Sequence, residues 1–180
     1  MTTRTYPALS EWLPVGMAVG TPASSVLRAG SELTGMYDRI LLPVAPGGRT
    51  NGAIPHVRSL ADRYDATVHV VAAVDTIEHT LSGPRIGALA GRVESGARER
   101  VEAVTAELEA AGIEVVADVI HGEPLRVIEN AISDDDIDVV VMPTHSRTGI
   151  QRVLLGSVTE KTVRSSPVPV LTVPIHDDET

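Results

Sequence analysis

At 180 residues the chain is long enough for one domain with a substantial core, and a composition of 43% hydrophobic but only 2% aromatic residues makes that core aliphatic. Cysteine is absent, which excludes disulfides, thiolate metal sites and a Cys nucleophile. A net charge of −9 argues against nucleic acid as a partner, since that would require a cationic face.

Lys161 is the only lysine. An acidic, lysine-poor surface fits either a salt-rich cytoplasm or a biased genome composition. No apolar run approaches the roughly 20 residues of a spanning helix, so no membrane partner is expected. Glu11 spoils the positive flank of a signal peptide, and the cytoplasm is the expected location.

Residues 1–35 show neither a helical nor a strand period and are expected to be poorly ordered. They are either a flexible arm or an over-extension upstream of a natural start at Met36. From Met36 onward, strands and helices alternate. Arg39 to Val44 is a short apolar run suited to a strand covered on both faces, ended by Ala45-Pro46-Gly47-Gly48. A helix follows with Pro55 in its first turn and Ile54, Val57, Leu60, Ala61 and Tyr64 on one face. Thr67 to Val74 is a second buried strand.

Asp75 to about Gly91 reads as a loop broken at Gly83-Pro84. A long helix is expected from about Arg92 to Ala111, with Val93, Ala97, Val101, Val104 and Leu108 inward and Gly112 as its terminal cap. Ile113 to Ile120 alternates as a third strand. Glu123-Pro124 opens a helix carrying Leu125, Ile128 and Ile132, and Ser133 to Asp136 forms an acidic turn. Ile137 to Met142 is a fourth strand. Ser157-Val158-Thr159-Glu160 fits a capping box, Pro167 stops the helix behind it, and Val168 to Val173 is a fifth strand. Pro169 suits a sheet edge. Residues 176–180 form an acidic tail. The alternation implies a doubly wound α/β fold, a parallel sheet with helices on both faces.

Ligands in such sheets bind beyond the carboxyl ends of the strands, where the strand order reverses. If the first strand neighbours the fourth, the loops Pro43 to Gly48 and Pro143 to Ser157 converge there. The second loop runs into a helix N-terminus, whose free N–H groups and dipole favour an anion. Other chemistry finds little support. The histidines are too scattered for metal ligation, Gly47-Gly48 lacks the lysine of a P-loop, and no GxSxG elbow exists. A binding protein without a metal site, rather than an enzyme, is the expectation.

Four segments, MYDRILLPV, YDATVHVVAAVD, HGEP and THSRTGIQRVLLGSVTEKTVRSSPVPVLTV, together resemble the universal stress protein family over residues 36–175. The resemblance implies a flavodoxin-like sheet of five parallel strands in the order 3-2-1-4-5, and a homodimer formed through Val168, Val170, Leu171 and Val173 of the last strand. The family divides into ATP-binding and non-binding groups, so the resemblance implies ATP or a related nucleotide as the ligand if one is bound. Binders carry glycine, two residues, glycine, nine residues, then glycine with Ser or Thr. Here Pro143 and Ser146 replace the first two glycines, and Gly156-Ser157 completes the pattern. Ala45 stands where binders tend to hold an aspartate.

Pro143 removes an N–H donor, while the Ser146 hydroxyl can substitute for one. Bound nucleotide would set its phosphates against Ser146, Arg147, Gly156 and Ser157, with Val44, Val68 and Met142 beside the adenine. Pro43, Ala45, Pro143 and Val158 complete the candidate set. The alternative is a ligand-free dimeric interaction protein with an unidentified protein partner and a degenerate phosphate loop.

Overall fold

The computed structural model describes residues 36–46, 48, 50, 52–75, 84–145 and 156–175, and of residues 84–89 and 145 the backbone only. The readings placed on residues 1–35, on Ser146 and Arg147, and on the acidic tail lie outside these. Among the described residues nine elements alternate: β1 (Arg39–Val44), α1 (Ile54–Tyr64), β2 (Thr67–Val74), α2 (Pro84–Glu109), β3 (Val115–His121), α3 (Pro124–Asp134), β4 (Val139–His145), α4 (Ser157–Ser165) and β5 (Val170–Ile175). The strands form one parallel sheet in the order β3-β2-β1-β4-β5.

Alternation along each strand sorts the core into two layers. Ile40, Leu42, Val68, Val70 and Val141 face α1 and α2, where they meet Val57, Ala61, Ala97, Val104 and Leu108. Leu41, Val71, Val140 and Met142 face α3, against Val127, Ile128, Ala131 and Ile132, while Val158 of α4 packs on the same layer. Two helices therefore cover each face. Among the described residues no helix is long and apolar enough to cross a membrane.

Several boundaries differ from the sequence reading, three of them by a change that alters how the element is built. The long helix begins at Pro84 rather than near Arg92. Proline is favoured in the first turn of a helix, so Pro84 marks a helix start rather than a break. β4 continues past Met142 to His145, because it keeps pairing with β5 as far as His145↔Ile175. β5 begins at Val170, leaving Pro169 just outside, where its carbonyl accepts the Val140 N–H.

Candidate functional site

The sheet opens between β1 and β4. Their pairing is confined to Ile40↔Val139 and Leu41↔Val140, whereas β1 pairs with β2 as far as Val44↔Ala72. Backbone direction explains the opening. The Arg39 carbonyl accepts the Asp138 N–H, so by alternation Leu41 and Pro43 also face β4. The Val140 N–H donates to Pro169, so Val141 and Pro143 face β1. Both prolines therefore sit on the same seam, and each removes a donor the ladder would have used there. The strands part where the prolines begin.

A cavity of about 290 Å³ occupies the crevice. Pro43, Val44, Ala45 and Pro46 form one wall, and Met142 and Pro143 the other. Val71 and Ala73 of β2 form the floor, α3 contributes Pro124, Val127 and Ile128, and α4 closes the mouth with Gly156 to Thr159. None of these lining side chains is charged, and only Ser157 and Thr159 carry a side-chain hydroxyl.

Two backbone features shape the mouth. The Gly48 N–H donates to the Ala45 carbonyl at 2.9 Å, closing a turn in which a Cβ at Gly48 would stand 3.0 Å from that of Ala45. Any larger residue at this position would have to push that contact apart. Across the crevice, Gly156 is the N-cap of α4, and among the described residues no side chain caps the helix. The capping box is thus corrected: Ser157 is the first helical residue, and Glu160 is paired with Arg164 at 3.0 Å instead of reaching back. The first N–H groups of α4 have no partner within the helix, and they stand at the cavity mouth with its positive dipole end.

The candidates Pro43, Val44, Ala45, Met142, Pro143, Gly156, Ser157 and Val158 converge on this cavity. Val68 does not. It pairs with Ile40 near the opposite end of the strands, is fully buried, and faces α1 and α2. The β2 residues that reach the site have the opposite parity, as Val71 and Ala73 do. Sequence reasoning also missed Pro124, Val127 and Ile128. Their signal was the HGEP turn, which brings the start of α3 to the same end of the sheet. Among the described residues no group of three or more His, Asp or Glu side chains is placed to hold a metal ion.

At the last strand, Leu171 is 38% exposed, whereas Val173 is buried in the core and Val168 and Val170 pack partly against the α3 layer. Of the four residues expected at a dimer contact, Leu171 is the one whose side chain is left exposed.

Known proteins share this fold. Universal stress protein MJ0531 of Methanocaldococcus jannaschii is 27% identical over 153 residues, covering 83% of this chain and 88% of its own. The solved structure of MJ0577 superposes with a TM-score of 0.68 at 28% identity, covering 79% of this chain and 99% of that one. A family member from Arabidopsis thaliana, solved with AMP bound, has the same fold at a TM-score of 0.56 and 16% identity, covering 79% and 94% of the two chains. The sequence model of the family matches residues 36–174, nearly the whole of the fold described above. The chain belongs to the universal stress protein family.

Proposed function

We propose that this protein is a nucleotide-responsive binding module of the stress response, a cytoplasmic homodimer rather than an enzyme, with ATP or a related nucleotide held in the β1/β4 crevice. The observation that carries the reading is an apolar cavity whose mouth faces an uncapped helix N-terminus. Such a site suits a ligand with a flat apolar part and an anionic part. The ring system would lie among Val44, Val71, Ile128 and Met142, and the phosphates against the N–H groups of Ser157 and Val158. Ser146 and Arg147 would add a hydroxyl and a guanidinium from the preceding loop. The AMP-bound relative supports the same ligand class.

Titration of ATP into the full chain, followed by heat, should give saturable binding at one site per chain. Gly156→Val sharpens the test. Its φ of −59° needs no glycine, and among the described residues nothing lies within 4 Å of an added Cβ, so the described fold accommodates the change. The branched side chain would nevertheless stand before the free N–H groups. Affinity should fall at least tenfold while the melting temperature drops by only the few degrees that loss of a glycine N-cap costs, and an unaltered affinity would remove the phosphates from this place.

A second reading has its own observation. Pro143 offers no N–H, Ala45 offers no polar side chain, and no described lining residue is charged. These favour a module that works through protein contacts alone. Absence of binding heat, together with no rise in melting temperature under excess ATP, would decide for it.

A further inference from the structure

The two open edges of the sheet are built differently. On β5 the inward-facing Pro169 carbonyl fixes the alternation, so Val170, Thr172 and Pro174 face outward, and Pro174 has no donor. On β3 the Glu114 carbonyl accepts the Val68 N–H, and the Gly122 N–H donates to Val74. Residues between them alternate, so Val115, Ala117, Val119 and His121 turn their N–H and carbonyl groups away from the sheet. This edge is seven residues long and contains no proline.

Side chains on its two faces differ in chemistry. Val116 and Ile120 share a face with His69 and Ala73 of β2, with Asp118 between them opposite Val71, and are 42% and 40% exposed. On the other face a groove of about 490 Å³ runs between β3 and α2, with Val101, Ala106, Ala117 and Val119 among its lining. Glu102 and Glu109 line it from α2, and the Thr105 Oγ1 has no hydrogen-bond partner among the described residues. The groove's one cation among the described residues, Arg98, is already engaged. Its guanidinium donates to Glu94 at 2.7 Å and thereby holds that carboxyl below the usual glutamate range. Glu102 and Glu109 form no ion pair among the described residues and leave the groove acidic.

The geometry points to a strand-addition site: the β3 edge takes an extended segment of a partner protein in which apolar residues alternate with lysine or arginine. A strand presents successive side chains to opposite faces, so one set covers Val116 and Ile120 while the other reaches towards Glu102 and Glu109. Its backbone satisfies the outward row. A second copy fits worse. The twofold antiparallel pairing that uses all four outward residues joins Ala117 to Val119 and Val115 to His121, and it sets Asp118 directly opposite its own copy. Like charges so placed are destabilising.

The test uses the full chain and a labelled, end-capped peptide of alternating valine and lysine, seven residues long, followed by fluorescence anisotropy. Two twins carry N-methyl groups, one at the valines and the other at the lysines, with charge unchanged. One twin, the one whose methyl groups face β3, should bind at least tenfold more weakly than the parent. Ala117→Pro should weaken the parent peptide to the same degree, because the lost N–H faces outward and no β2 bond depends on it. Circular dichroism checks its fold, and the twins decide if that variant misfolds. Equal binding of both twins would reduce the effect to charge attraction and overturn the site. No binding of the parent at millimolar concentration would overturn it as well. Self-association of the protein alone, abolished by Ala117→Pro, would replace the partner with a second copy.

Discussion

Gly112 shows how one residue's backbone closes an element. Its φ is +83°, its N–H donates to Glu109, and the N–H of the buried Ile113 donates to Leu108. Only glycine holds that conformation freely, so Gly112→Ala should cost about 1 kcal/mol. A urea midpoint that falls with an unchanged m-value would agree, and an unmoved midpoint would show that the turn relaxes. Asp65 closes α1 in the same left-handed region at φ 55°, and nothing in the sequence singled it out, because aspartate tolerates that region at lower cost. Val68 shows the opposite limit. Its hydrophobicity was legible, but which face it serves depends on a register set by β1, and a shift of one residue moves a side chain across the sheet.

The elements were legible wherever their apolar period was long, and their ends were not. Val93 to Leu108 marked α2 by spacing, yet its first turns begin at Pro84 because proline and glycine signal both starts and breaks. The opening between β1 and β4 was less accessible still. Pro43 and Pro143 are both visible in the sequence, but only the pairing shows that their missing donors face one seam. The opposite ends of these strands are tied. Asp138 Oδ2 accepts the N–H groups of Asp38 at 2.8 Å and Arg39 at 2.9 Å, and Arg39 donates to the Asp135 carbonyl at 2.7 Å. Asp138→Ala should therefore cost about 1–2 kcal/mol, the lower part of the range for bonds to a charged group because the site is partly exposed. ATP affinity should not change, since the tie lies at the far end of the strands. A loss of stability with intact binding would separate the anchor from the crevice, and a loss of both would mean that the opening depends on it.

At the scale of the molecule the proposed dimer rests on how few donors β5 offers. Val170 and Thr172 face outward, and Pro174 ends the row. A twofold antiparallel pairing centred on Leu171 joins Val170 of each copy to Thr172 of the other, and it uses each available donor. A centre one residue away in either direction leaves a donor unused or sets a residue against Pro174. The favoured pairing brings Leu171 opposite its own copy, and this side chain is 38% exposed in the single chain. Two leucines so placed form an apolar cross-strand pair, whereas two lysines repel. Leu171→Lys should therefore shift the mass measured by light scattering from two chains to one at micromolar concentration. The cavity lies on the far side of β4, so ATP affinity should stay within a factor of two. A dimer that survives the substitution would move the contact away from β5, and if Ala117→Pro then broke it, the β3 edge would be the surface that joins the copies.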